Sequence, residues 1–592
     1  MARHRSIIGR FLALAALGIF CFVACQPIKT PPHQILINPS ATPDLGEGFL
    51  SALRFTPTAI NTPVLNLPPT PTPLPVTPNP GSPQPLTAES ATPATPEKTA
   101  ICMDIEPNLP ALVLSSLRSQ GVSNCKPAQE VEAQVGYGTQ NLVSQWVYAL
   151  VAPFTTITDE VSTAELMDYW KEGKSAPFTE LILDQTAIQA VSSLWGKPIG
   201  NVSIQPADQL LDLAWSNEKV WAIIPFEALL PRWKVIALDG QTPLSKHFDP
   251  IGYPLNVPIS VWAESSKQLS EPAKVVAASL PDTNRDPQKL ATVVVTGVTA
   301  LARATAYDME ISGVTKPAEE VGDILRDADL LHISNEAPFW SECPYPDPYQ
   351  GGELRFCSAD NYLELLQLIG TDVVDLTGDH LLDYGQEALL HTLAVYRQQG
   401  WQFFGAGMTL REAEQATTFE INGNRIAFIG CNAKPLSYLA ATDGSAGVFH
   451  CGVERLSSSV RQLKSEGFNP IVTFQHDEVY SWNATPRMVE DFTAAAEAGA
   501  VIVSGSQGHQ PQAMSFLGDD QFIHYGLGNL FFDQFGLMSD TDKAFIDRHI
   551  FYDNRYIGTE LLTVKFTDYS TPRWMTDSER IAMLNQLFLN SE

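Results

Sequence analysis

The sequence predicts an α/β protein with two α/β domains in series, the first over residues 101–285 and the second, layered, over 286–570. Three observations predict it. Short apolar runs alternate with helix-like stretches through both segments, the order expected of layered α/β folds. In the second segment Asn, Asp, Glu and His recur just after the apolar runs, where open α/β sheets place their chemistry. Ahead of both lies a stretch, 26–100, so rich in Pro and Thr that it buries no core and favours an extended, stalk-like linker.

The chain has 592 residues, 44% of them hydrophobic, enough for two or three domains with sizeable cores. Its net charge of −29 excludes a general nucleic-acid binder, which needs a positive footprint. Residues 1–25 read as a secretory signal peptide: Arg3, Arg5 and Arg10 precede an apolar run, Phe11 to Ala24, too short to span a bilayer comfortably. The run ends Phe22-Val23-Ala24-Cys25, which resembles a bacterial lipobox with Cys25 as the acylated residue. That implies an extracytoplasmic lipoprotein held to the bacterial cell membrane by an N-terminal lipid anchor. An uncleaved anchor and ordinary signal-peptidase cleavage are the alternatives.

Six further cysteines remain: Cys102, Cys125, Cys343, Cys357, Cys431 and Cys451. An even count in an exported chain suggests disulfides, and proximity favours 102–125, 343–357 and 431–451 among the fifteen possible connectivities.

Within 101–285, Ala111 to Arg118 reads as a helix, Val220 to Phe226 as a buried strand, and Trp233 to Gly240 as a strand and turn. Within the second segment, strands are expected at Ala291–Thr296, Asp329–Ile333, Asp372–Leu376, Arg425–Ile429, Pro470–Phe474, Val501–Ser504 and Gln521–Tyr525. Helices are expected at Ala359–Leu368, Gln386–Gln399 and Pro486–Ala498. Ile421-Asn422-Gly423-Asn424-Arg425 reads as a hairpin turn, because Asn-Gly favours positive φ. Residues 571–592 read as a C-terminal tail.

The polar residues after the strands are Asn335 and Glu336, then Asp379 and His380, then Gln475-His476-Asp477-Glu478, then Gln507-Gly508-His509. Imidazole and carboxylate side chains converging from several strand ends suit a divalent ion such as Zn, Mn or Fe. Each also has an ordinary reading: Asn335, Glu336 and Asp379 as caps, and the histidines as satisfied core residues. Asp383 is expected to open the helix that follows, and Asn529 and Asp533 to fix backbone turns.

These blocks together resemble the CapA-type capsule poly-γ-glutamate synthesis protein family, whose fold is similar to calcineurin-like metallophosphatases. The blocks are "DADLLHISNEAPF", "GTDVVDLTGDHLLDYGQEALLHTLAVYRQQGWQFFGAG", "FEINGNRIAFIG" and "IHYGLGNLFFDQ", covering about 290 to 535. Residues 101–285 more faintly resemble periplasmic solute-binding domains through "VWAIIPFEALLPRWKVIALDG". The resemblance implies a metal-dependent centre, but the pattern departs from it. Gly297-Val298 stands where the family has Gly-Asp, and Gln512 stands where it has a second histidine.

Two readings stay open. In one, Asp379, His380, His476 and His509 hold a single divalent ion, Asn335, Glu336 and His380 act on substrate, and the protein hydrolyses or transfers a bond in a capsule or envelope polymer. In the other, the pocket holds no metal, and the protein is a non-enzymatic lipoprotein that binds a small solute or an envelope polymer. Motif spacing alone does not decide whether the protein is an enzyme.

Overall fold

A computed structural model describes residues 101–591 apart from 128–130, 132, 264–267 and 537. The leader with Cys25 and the Pro/Thr-rich stretch lie outside the described residues. Among the described residues, no helix is long and apolar enough to cross a membrane. Disulfides join Cys102 to Cys125, Cys343 to Cys357 and Cys431 to Cys451.

The first part is built on a mixed nine-stranded sheet whose central strand, Leu142–Pro153, is buried from Trp146 to Pro153. Such a continuous apolar run marks a strand covered on both faces. Helices Thr163–Glu172 and Gln185–Trp195 add buried residues to the same core, and Ser162 and Glu165 start the first of them with a capping box.

The second part stacks two sheets between helical layers. An eight-stranded sheet places Leu290–Thr299 at its centre, between the parallel strand Leu330–Asn335 and the antiparallel strand Lys543–Tyr552. A six-stranded sheet runs Thr417–Ile421, Asn424–Asn432, Asn469–Gln475, Ile502–Ser506, Gln521–His524 and Met514–Leu517. Side chains alternate with period two, as strand geometry requires. Val293, Val295 and Leu330 meet Phe428, Ile471 and Ile502 between the sheets. Val294, Leu331 and Ile333 face the other way and pack with residues of helices Arg303–Ser312, Leu363–Leu368 and Gly385–Gln399. On the second sheet, Ile429, Val472 and Val503 pack with Val453–Ser465 and Pro486–Glu497.

The expected strands are present with shifted ends, and the Asn-Gly hairpin forms with Asn422 at φ 51° and Gly423 at φ 76°. The C-terminal segment differs from expectation. Residues 572–574 add a strand to the first sheet, and Asp577–Leu589 is a helix capped by Thr576 and Glu579 that buries Met583, Leu584 and Leu587. It is an integral wall of the core, not a tail.

Candidate functional site

Register brings the strand ends level. Thr299 pairs with Asn335 in the first sheet, and Asn432, Gln475 and Ser506 align across the second. Both groups of parallel strands therefore end at one place, and polar side chains collect there. Gly378 lets the loop after Val373–Asp375 close on its neighbour: a Cβ at that position would lie 2.3 Å from Glu336 Cα.

Lys434 is at the centre of this cluster. Its Nζ lies 2.5 Å from Asp379 Oδ2 and 4.0 Å from Glu478 Oε2. Asp379 Oδ1 accepts a hydrogen bond from Gln475 Nε2 at 3.1 Å. Gln475 also meets Gln507, whose amide, oriented by its neighbours, accepts from Lys434 and donates to Glu336 Oε2, each at 3.1 Å. The lysine is held from behind: Asn432 Oδ1 accepts from its backbone N–H at 2.9 Å, and His450 lies 3.0 Å from its carbonyl. Asn432 Nδ2 in turn donates to Thr377 O at 2.7 Å, fastening the lysine loop to the Asp379 loop.

Charge in the pocket is balanced within the protein. Burial opposes ionisation of Asp379, but His380 and Lys434 outweigh it and lower its pKa. Burial likewise opposes the charge on His380, but the hydrogen bond that its Nδ1 donates to Asp383 Oδ2 (2.6 Å) and the negative charges around it, Asp379 and Asp383 among them, raise its pKa to about 9. His380 is thus an imidazolium at neutral pH. Glu336 is pushed up to about 8, first by burial and then by Asp379, so it keeps its proton. Its Oε1 has no hydrogen-bond partner.

The expected site residues divide. Glu336, Asp379 and His380 come together, and His509 joins them at the edge, its Nδ1 2.9 Å from Asn529 Oδ1 and its pKa lowered by burial. Asn335 supports the group: its Nδ2 donates to Ala337 O and Tyr396 Oη, while its Oδ1 is unpartnered. His476 does not join. Its Nε2 lies 2.9 Å from Asp491 on helix Pro486–Glu497, and its Nδ1 accepts from the backbone of Asp477. It is a satisfied core histidine. Asp383 does not cap the following helix, as expected of it, but holds His380 and the backbone N–H of Phe356. Gln475 and Gln507 were named in the sequence only as strand-end polar residues without a role, and Lys434 was not named. The available signal was that Asn432-Ala433-Lys434 follows a strand end like the others.

A divalent ion does not fit this donor set. Asp379 is already engaged by an ammonium, His380 is turned to Asp383 through Nδ1, His476 faces Asp491, and Val298 offers no ligand. Among the described residues, no group of three or more His, Cys, Asp or Glu is arranged to hold a metal.

Glu336 gives a pH-dependent prediction. Its folded pKa lies above its unfolded value, so the native state binds more protons, and stability falls as pH rises from about 4.5 through about 8. Glu336→Gln is therefore expected to stabilise the protein by on the order of 2 kcal/mol at pH 8 and to change little at pH 5. Urea titrations at both pH values check it, and an equal effect at both would contradict it.

A cavity of about 680 Å³ lies elsewhere, between the two parts. Lys234 (2.8 Å) and Arg580 (2.7 Å) on its walls both close on Asp159, so each cation already has a partner within the protein.

Residues 292–534 match the family model described as "Bacterial capsule synthesis protein PGA_cap". The capsule biosynthesis protein CapA of Bacillus anthracis is 23% identical over 291 residues, covering 48% of this chain and 69% of that one. The PGA biosynthesis protein CapA of Bacillus subtilis (strain 168) is 24% identical over 242 residues, covering 41% and 63%. Among solved structures, the NAD nucleotidase of Haemophilus influenzae matches at a TM-score of 0.30 and 9% identity, over 51% of this chain and 57% of that one. An ABC-type phosphate transport receptor from Vibrio cholerae matches at 0.24 and 11%, over 30% and 93%. Over residues 292–534, the region that carries the strand-end pocket, the chain is similar to the bacterial capsule synthesis proteins.

Proposed function

We propose that this protein works outside the cytoplasm, held to the membrane through Cys25, in the synthesis, anchoring or retention of a capsule-type acidic polymer, and that its strand-end pocket binds that polymer without hydrolysing it. The family match over 292–534 supports the capsule setting. One observation carries the non-hydrolytic reading: Lys434 fills the acid centre and closes on Asp379 at 2.5 Å. Metal-assisted hydrolysis needs a cation that lowers the pKa of a bound water and clamps the reacting oxygens. An ammonium supplies charge and hydrogen bonds but no activated water.

The alternative role, hydrolysis or transfer at an amide or ester of the polymer, predicts turnover that Lys434→Met would alter. The test incubates full-length protein with a glutamate polymer, with and without added Mn²⁺ or Zn²⁺. Retention of the polymer with unchanged chain length is expected. Metal-dependent shortening of the polymer would sink the reading.

A further inference from the structure

We propose that a cleft of about 190 Å³ beside the strand-end pocket is a binding subsite for a carboxylate group, taken by the guanidinium groups of Arg303 and Arg355. The proposal rests on the polymer-binding reading only for the source of the carboxylate.

Arg303 is an unusual residue to find where it stands. It begins helix Arg303–Ser312 with φ 50°, a left-handed conformation that a residue with a Cβ adopts at a cost. Asp533 holds it there: its side chain is 1% exposed, its Oδ2 accepts the Ala304 N–H at 2.7 Å, and Arg303 Nε lies 3.3 Å from the same oxygen. The guanidinium lies over the rings of Phe356 and Phe532, at 5.5 and 5.9 Å. Its closest approach to Asp533 is through Nε, which makes no hydrogen bond there, and its Nη1 and Nη2 hydrogen-bond to no described residue. A strained backbone, a buried carboxylate and two aromatic faces thus fix an arginine whose two terminal nitrogens are left for something else.

Arg355 lines the same cleft. It lies over Tyr384 at 4.7 Å, and its Nε and Nη2 both donate to Asp383 O, at 3.0 and 2.5 Å, which leaves Nη1 to face a ligand. Its backbone is clamped by the Gln350 amide, which accepts from Arg355 N and donates to Arg355 O. The Cys343–Cys357 disulfide ties the two ends of the loop that carries it, and both cysteines line the cleft. Asp383 joins cleft to pocket, since its carboxylate holds His380 while its carbonyl holds Arg355.

Two held guanidinium groups that line one cleft with Tyr345, Tyr362 and Tyr384 suit a planar oxyanion that accepts a hydrogen bond from each. The acidic Asp347 on the rim favours a monoanionic carboxylate over a dianionic phosphate. A chain of carboxylates could place one group here and a neighbouring polar group against Lys434 and Glu336.

The test measures binding of three probes to the full-length protein by calorimetry: a linear glutamate oligomer, N-acetylglutamate and inorganic phosphate. The variants are Arg303→Gly and Arg355→Gln. Glycine suits the left-handed backbone, which offsets part of the cost of leaving buried Asp533 without its counter-charge, and a melting curve of Arg303→Gly confirms that the variant is folded before binding is measured. Each variant is expected to weaken oligomer binding at least about tenfold. Oligomer binding that is unchanged in both variants overturns the cleft while leaving the polymer reading intact. Arginine-dependent binding of N-acetylglutamate without oligomer binding supports the cleft and removes the polymer reading. Binding of phosphate in preference to both carboxylates, or of no probe at all, overturns the subsite.

Discussion

Lys434→Ala is expected to open the strand-end pocket to a divalent ion. The substitution leaves Asp379 buried without its ammonium partner, beside Glu336, His380 and His509. Removing one member of a buried ion pair typically costs about 3–5 kcal/mol, because the remaining charge is desolvated and unpaired. The cavity left by the lysine is ringed by oxygen and nitrogen donors from Asp379, Gln475 and Gln507. A divalent ion entering there replaces the missing charge, and a ligand that binds only the native state raises stability by mass action. The wild type is expected to show no Mn²⁺- or Zn²⁺-dependent change in Tm. Lys434→Ala is expected to melt well below it and to recover part of the loss when either ion is added. Replacing both partners, with Lys434→Met and Asp379→Asn together, is expected to cost less than the single change and to show no metal response. Stoichiometric metal in the purified wild type, removable by a chelator with loss of stability, would refute this account. So would a folded Lys434→Ala protein indifferent to metal.

Much of this arrangement was legible in the sequence, and the parts that were not share a physical cause. Strands such as Leu290–Thr299 announce themselves because burial on both faces demands unbroken β-branched runs, here Val293-Val294-Val295. The turn at Asn422-Gly423 was legible because left-handed backbone selects those residues. Facing was not legible at the strand ends. Gln475 and His476 are adjacent, so period-two alternation sends one into the pocket and the other toward Asp491. A search for metal-ligating residue types favours the histidine, whereas the fold places the glutamine. Lys434 was overlooked for a related reason: it is not a ligand but a cation in its own right, and only the folded chain shows it opposite Asp379. The C-terminal helix carried a readable signal in Met583, Leu584 and Leu587, spaced to make one apolar face, with Thr576 and Glu579 as its capping box.

The boundary between the two parts, placed near residue 285 by the sequence, is not a boundary between cores. Tyr552→Ala is accordingly expected to destabilise the whole described region by about 3–5 kcal/mol, the cost typical of truncating a buried aromatic. Tyr552 ends a strand of the second part, yet it packs in the core of the first, with Ile550 and Ile557. Its ring meets Phe226 edge-on at 4.9 Å, and its hydroxyl accepts from the Asp286 N–H at 2.8 Å and donates to Asn284 O at 3.1 Å. Asn284 in turn exchanges two hydrogen bonds with Val147 on the central strand of the first sheet. The exchange is reciprocal, because Phe154 of the first part packs against Phe516 and Phe522 of the second, at 5.2 and 5.6 Å. Neither core is complete without the other chain segment, so residues 101–285 are not expected to act as a separable solute-binding module. Calorimetry should show one cooperative transition whose calorimetric and van't Hoff enthalpies agree, shifted downward as a unit in Tyr552→Ala and in Phe154→Ala. Two resolved transitions, only one of them moved by each substitution, would mean that the parts fold independently and that the first could capture a ligand on its own.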